Sequence, residues 1–410
     1  MTESVLQPVD YAYGGSAVAR DNDGRPVFIQ GAVAGEKVRV FITVDKERFA
    51  HAYVTEVLEA SAERVIPRCP HFGPCGGCHY QHMAYGEQLR AKHHIVHDQL
   101  QRIGGLSNIN VAPVLPDKTP WEYNFETVFS PVIGGGLGYW SPRLREVIPI
   151  STCPITRPEL LALFEDIDLD LPGLRKLTLR LDGEGAMLAA LEIEDAEAPE
   201  LAVDFPLSVA LVLPDSTAAS LIGEPYLVYP VKERVFRASP GSFFQPNLGM
   251  AAELVDVMLD LAALSGTERV LELYSGVGML TAFLAQQALE VMAIEANSDA
   301  VIDMAVNLDD LDNVSLYHGF VEDVLPELAE RPDLVVFDPG LNGLTARVID
   351  QIAALSAPRL VYVSSDLARM ARDGRALAEK GYKLQMVQPL DMRPQSYQVD
   401  TVSLWVKPEA

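Results

Sequence analysis

Positive charge is scarce in this chain of 410 residues: 32 Lys and Arg stand against 57 Asp and Glu, a net charge of −25. Phosphate backbones are held mainly by cations that displace counterions, so this deficit argues against a general nucleic-acid binder. Local contact remains open through Arg90, Lys92, His93 and His94, through Arg143 and Arg145, through Arg175, Lys176 and Arg180, and through Lys232, Arg234 and Arg237. Taken one by one, such clusters are most simply solvated faces. Long apolar runs are missing too. The stretch Leu207 to Leu213 stops at Pro214, far short of a bilayer, and Met1-Thr2-Glu3-Ser4 opens no secretory signal, so a cytoplasmic protein without a membrane partner is expected.

Cysteine is limited to four residues, and all fit one pattern. Cys69, Cys75 and Cys78 form Cys-x5-Cys-Gly-Gly-Cys, and Cys153 follows alone. A reducing compartment disfavours disulfides, and a chain this long needs no staples, so the thiols read as ligands or catalysts. Three thiolates plus one suit a tetrahedral metal or an iron–sulfur cluster, with Gly76 and Gly77 letting the backbone curl around it.

Three domains are expected, and no internal repeat is visible. Residues 1–60 alternate apolar and polar positions between turns, as in Lys37 to Ile42 and Ala52 to Val57, and fit a small five-stranded barrel of the kind that often binds oligonucleotides. Residues 61–235 hold the cysteine motif, a helix from Tyr85 to Ile103 with Leu89, Val96, Leu100 and Ile103 on one stripe, and a mainly β remainder with an acidic stretch from Glu192 to Glu200. Residues 236–410 alternate helix and strand. A helix carrying Leu254, Val257, Met258 and Leu261 leads in, and strands are predicted at Arg269 to Leu273, Glu290 to Glu295, Val314 to His318, Leu334 to Asp338 and Leu360 to Val363. The fold class is α/β, with a doubly wound parallel sheet whose last two strands, Tyr382 to Val387 and Thr401 to Val406, close one edge as a hairpin.

Ligands of such sheets bind beyond the carboxyl ends of the strands. There stand Glu272-Leu273-Tyr274-Ser275-Gly276-Val277-Gly278, then Glu295, whose carboxylate suits ribose hydroxyls, then Asp338-Pro339. A dinucleotide fingerprint is lacking, because Leu280 and Thr281 occupy the region where its third glycine would fall. Glycine loop, Glu295 and Asp338 together favour S-adenosylmethionine.

The order of parts resembles the RNA 5-methyluridine methyltransferases that carry an iron–sulfur cluster. The segments that carry the likeness are Cys75-Gly76-Gly77-Cys78-His79-Tyr80-Gln81-His82, Ser242-Phe243-Phe244-Gln245-Pro246-Asn247 and Leu273-Tyr274-Ser275-Gly276-Val277-Gly278. The resemblance implies a TRAM-type OB barrel, a cluster-binding central domain and a Rossmann-like class I methyltransferase domain acting on ribosomal or transfer RNA. It implies a [4Fe-4S] cluster on Cys69, Cys75, Cys78 and Cys153, the alternative for these thiols being a structural zinc. By the same resemblance Gln245, Tyr274, Gly276, Gly278, Glu295 and Asp338 would line the S-adenosylmethionine pocket.

In that family a thiolate adds to uracil C6, C5 takes the methyl group, and a carboxylate removes the C5 proton. The cysteine sits in a Ser-Cys-Asn-Pro turn. Here the turn reads Ser364-Ser365-Asp366-Leu367, so Ser365 holds the nucleophile's place. The family's Asp-Pro-Pro-Arg turn is Asp338-Pro339-Gly340-Leu341, without its arginine; the glutamate base corresponds to Asp400, and Met279 replaces a small polar residue. A hydroxyl has no thiolate fraction near neutral pH, so thiol-based catalysis is expected to be lost. Ser365 would otherwise cap a helix starting at Asp366. Three functions follow: a uracil-C5 methyltransferase working by an altered route, a catalytically inactive RNA-binding or regulatory homologue, or a methyltransferase acting on oxygen or nitrogen.

Overall fold

The structure, a computed structural model, describes residues 3–167, 171–194, 203, 206–215, 217–328 and 331–408. The acidic stretch expected from Glu192 lies outside these residues from 195 onward.

Six strands form the N-terminal sheet: β1 (Glu3–Leu6), β2 (Asp10–Ala12), β3 (Ser16–Arg20), β4 (Pro26–Gln30), β5 (Lys37–Asp45) and β6 (Ala50–Glu59), in the order β1-β5-β6-β4-β3-β2. Alternation does the folding here. Ala17 and Ala19, Val27 and Ile29, and Val38 and Val40 all point to the buried face. The expected five-stranded barrel is not what forms: β1 and β2 are the two outer strands and do not pair, so the sheet stays open. Their connection contains Pro8, which brings no donor to a ladder, and its carbonyl accepts from Gly35 N instead.

Helix α1 (Tyr85–Arg102) follows the cysteine segment. Its buried face runs through Gln88, Ala91, Lys92, Ile95, Val96, Gln99 and Leu100. That face is rotated from the predicted stripe, for Leu89 is only half-buried and Ile103, the residue after the helix, is exposed. Two buried polar anchors cause the rotation: Gln88 bonds Met83 O and Gln395 Oε1, and Lys92 pairs with Asp391.

The central sheet takes β7 (Glu126–Pro131), β8 (Leu137–Ser141), β9 (Glu146–Pro149), β10 (Leu174–Leu181), β11 (Met187–Ile193), β12 (Ser208–Val212) and β13 (Ala218–Ile222), in the order β13-β12-β11-β10-β7-β8-β9. Helix α2 (Pro158–Asp166) covers it, with Leu160 and Leu163 packed on Phe129, Leu177, Leu179 and Leu191. A hairpin of β14 (Leu227–Val231) and β15 (Arg234–Ala238) leads to the last sheet.

That sheet contains β16 (Arg269–Leu273), β17 (Glu290–Glu295), β18 (Val314–His318), β19 (Leu334–Phe337), β20 (Arg359–Ser364), β21 (Lys383–Leu390) and β22 (Asp400–Val406), ordered β18-β17-β16-β19-β20-β22-β21. The first five are parallel and the last two antiparallel, which gives the predicted edge hairpin. The crossovers include α4 (Met279–Ala285), α5 (Ser298–Asn307), α6 (Val321–Val324), α7 (Ala346–Leu355) and α8 (Leu367–Glu379), while α3 (Leu248–Ala262) enters ahead of β16. Strands buried on both faces read as continuous apolar runs, such as Leu334-Val335-Val336-Phe337. One core joins the N-terminal sheet, α1, α7 and α8 to one face of this sheet; a second packs α3, α4, α5 and the β14–β15 hairpin on the other face.

Candidate functional site

The chain order of β16, β17 and β19 reverses around β16, so a crevice opens past their carboxyl ends. A cleft of about 270 Å³ occupies it. Gln245, Tyr274, Gly276, Asp338 and Ser365 line the cleft, together with Phe243, Glu272 and Arg393.

The loop after β16 is built for close approach. Tyr274 is held left-handed at φ 61°, a conformation uncommon outside glycine. Gly276 at φ 56° faces open space, and a Cβ added there would meet nothing within 4 Å. Gly278 acts differently. At φ 84°, its added Cβ would lie 2.9 Å from Met304 Cγ, so this glycine lets α4 pack against α5 and does not line the cleft. Glu295 does not line it either: Oε2 accepts from Gly276 N at 2.8 Å, and Oε1 from Ala296 N and Asn297 N at 2.8 and 2.7 Å. The carboxylate therefore braces the glycine loop from behind. Asn247 is structural as well, capping α3 through Met250 N and donating to Asp117 and Met392 O.

Ser365 and Asp400 meet through strand register. β20 pairs antiparallel with β22 with Ser364 opposite Thr401, so one step further out Ser365 comes to face Asp400, where its hydroxyl favours the charged carboxylate. The helix cap is Asp366, whose side chain accepts from Arg369 N at 2.8 Å, rather than Ser365. The Ser365 hydroxyl is thus left for the cleft.

Negative charge here is short of partners. Glu272 is buried with Oε2 unbonded, and burial, aided by Asp338 and Glu295, pushes its carboxyl up to about 8. Asp338 is pushed up to about 7, first by lost hydration and also by Asp400, against the pull of Gly340 N–H and Arg393. Burial raises Asp400 too, with Arg393, the Ser365 hydroxyl and Lys92 opposing. A cleft in which carboxylates prefer to be neutral is one that a cationic ligand would favour.

The four cysteines share a second cavity of about 370 Å³, and none forms a disulfide. Gln81 Oε1 accepts from Cys69 N at 3.0 Å and fixes the start of the motif. Burial pushes the Cys78 thiol up to about 12, reinforced by repulsion from Cys153, Cys75 and Cys69. Four thiols lining one cavity, Cys153 buried and the other three half-buried, are a donor set that a cationic centre would stabilise. Among the described residues, no three His, Cys, Asp or Glu side chains are placed to hold a metal ion as they stand. Cys153 lies with the other cysteines and not at the Ser365–Asp400 pair.

Sequence reasoning missed Arg393 and the buried Lys92–Asp391 ion pair. The only hint of Arg393 was a lone basic residue before proline, between two edge strands at their ligand-binding end.

Residues 224–328 match the family model for tRNA (uracil-5-)-methyltransferase, and residues 9–55 match that for the TRAM domain. An uncharacterised RNA methyltransferase of Thermosynechococcus vestitus is 31% identical over 96% of this chain and 95% of its own. Another from Bacillus cereus is 31% identical over 97% and 95%. The crystal structure of a Pyrococcus abyssi tRNA (uracil-54, C5)-methyltransferase in complex with S-adenosyl-L-homocysteine superimposes with a TM-score of 0.74 over 99% of this chain and 100% of that one, at 20% identity, so the fold is shared. Among the described residues no helix is long and apolar enough to cross a membrane. With two relatives matched nearly end to end, the chain belongs to the TRAM-bearing RNA methyltransferases of the tRNA (uracil-5-)-methyltransferase family.

Proposed function

We propose that the protein binds S-adenosylmethionine in the cleft beyond β16 and directs its methyl group to C5 of a uracil in ribosomal or transfer RNA, with Ser365 in the nucleophile position and Asp400 in the base position. The observation that carries this reading is the register that sets Ser365 against Asp400 at the edge of a cleft rich in unneutralised carboxylates. The donor's sulfonium and ammonium groups supply the positive charge that Glu272 and Asp338 lack. Gly276 leaves space for it, and Gln245 lines the same cleft.

The chemistry that remains to these residues is limited. Asp400 is the carboxylate that faces Ser365 and could take its proton, but a carboxylate is a weak base for an alcohol, and a hydroxyl adds to C6 far less readily than a thiolate. Aspartate is also one methylene shorter than the family's glutamate. Turnover of the wild-type chain is therefore slow.

We also propose that Cys69, Cys75, Cys78 and Cys153 hold a [4Fe-4S] cluster. Four thiol donors that line one cavity, three of them in a Cys-x5-Cys-Gly-Gly-Cys segment, support this reading. A cluster there ties the central segment that carries the cysteines to Phe243, Pro246 and Arg393, which line the same cavity, and takes no part in methyl transfer.

The test is labelled S-adenosylmethionine with bulk RNA. Methyl transfer to uracil C5 supports the proposal; transfer to an oxygen or nitrogen would reassign the target atom, and cofactor binding without any transfer would make the chain a non-catalytic RNA-binding homologue. Ser365→Cys is expected to raise C5 transfer and to trap RNA containing 5-fluorouracil as a covalent adduct.

A further inference from the structure

The wall between the two cavities contains a cation that the catalytic pair does not use. Arg393 lies in the connection between β21 and β22 and lines both the donor cleft and the cysteine cavity, as Phe243 does. It is the only lysine or arginine lining either one among the described residues. The backbone at this point is fixed, because the Arg393 carbonyl accepts from Lys92 Nζ at 3.0 Å and from Ser396 Oγ at 2.9 Å. The guanidinium is without a partner. Among the described residues it makes no hydrogen bond or ion pair, and its charge is felt by the carboxylates of Asp338 and Asp400. Gln398, two residues before Asp400, lines the cysteine cavity on the other side of this wall, and among the described residues its side-chain amide is also without a hydrogen-bond partner.

Two unpaired polar heads beside an aromatic ring that is 61% exposed describe a place for a flat, polar ring. Resting on the function proposed above, we propose that Arg393, with Gln398, reads the carbonyl edge of the flipped target base and selects uracil over cytosine. A guanidinium only donates, so it satisfies the O4 of uracil but opposes the amino group that cytosine carries at the same position. The Gln398 amide offers one donor and one acceptor, the complement of a carbonyl beside an N–H. Phe243 supplies the stacking face. Arg393 is a specificity residue in this role, and Ser365 and Asp400 stay the reacting pair.

The test uses the full-length protein saturated with S-adenosylhomocysteine and two labelled single-stranded RNAs, identical runs of adenosine except for one central uridine or cytidine, with affinity read by fluorescence anisotropy. Wild type is expected to favour the uridine strand by about tenfold, the discrimination of one good base contact. Arg393→Gln is expected to bring the ratio within about twofold of unity, and Arg393→Lys, which keeps charge but loses the planar fork, to fall between. A wild-type ratio in Arg393→Gln, or no preference in wild type, overturns the assignment. If Arg393→Gln loses its circular-dichroism signature, Arg393→Lys decides alone: an undiminished ratio refutes the role. Calorimetry with S-adenosylhomocysteine separates the two levels, because failure to bind it overturns the donor cleft itself, whereas binding with an unchanged base ratio overturns only Arg393.

Discussion

Replacing Lys92 by methionine tests how the site is held. Lys92 and Asp391 are both completely buried, and they pair across 299 positions of sequence, tying α1 to the segment that carries Arg393 and Asp400. Lys92 Nζ also donates to Arg393 O, while Asp391 Oδ2 accepts from Tyr85 OH at 2.8 Å. Burial pulls the lysine below its ordinary range, opposed by Asp391, so the charged pair exists only because each half compensates the other. Lys92→Met leaves Asp391 as a buried charge with one neutral partner, which costs about 3–5 kcal/mol. That is a large share of the roughly 5–15 kcal/mol that holds a typical folded chain. Adding Asp391→Asn removes the orphaned charge, and the double variant is expected to recover to within about 1–2 kcal/mol of wild type. The assay is urea denaturation followed by the fluorescence of Trp405, which is fully buried in the same core as Ile95, Val96 and Leu100. A loss below about 1 kcal/mol in Lys92→Met, or strictly additive losses in the double variant, would refute the reasoning.

Gly278→Ala combines a left-handed φ with a methyl group pressed 2.9 Å from Met304 Cγ and 3.0 Å from Leu308 Cδ1. It should destabilise by about 2–4 kcal/mol in thermal or urea unfolding, whereas Gly276→Ala, facing open space, should weaken S-adenosylhomocysteine binding more than stability. The raised carboxyls of Glu272, at about 8, and Asp338, at about 7, bind protons more tightly in the folded than in the unfolded chain. Unliganded protein is therefore expected to lose stability as pH rises from about 5 through 8, and S-adenosylmethionine binding at pH 7 to release protons, detectable by calorimetry in buffers of different ionisation enthalpy. Cys153→Ser should abolish or sharply reduce the iron and sulfide content of anaerobically purified protein and its visible charge-transfer absorbance. Unchanged content would remove Cys153 from the ligand set.

Local pattern alone specified a good deal. The run Leu334 to Phe337, the helix over α3 and the alternation in β5 are set by spacings of one to four residues, which the sequence displays directly. The glycine loop and the Cys-x5-Cys-Gly-Gly-Cys segment stand out for the same reason, since each is a short contiguous motif. Length and periodicity also placed the last two strands together as an edge hairpin. The helix α1 was found, yet its buried face was misjudged, because buried Gln88 and Lys92 look like surface residues until their partners hundreds of positions away are known.

Only tertiary structure decided which residues with suitable chemistry face the cleft. Glu295 braces the loop and Gly278 packs a helix, outcomes set by where α5 and β17 come to lie. The meeting of Ser365 with Asp400, and the arrival of Arg393 between two cavities, depend on strand register and on a buried ion pair far away in sequence. Sequence fixes the period of each element, but the energy that aligns one element with another is spread over burial and pairing between distant segments, and no local window contains it.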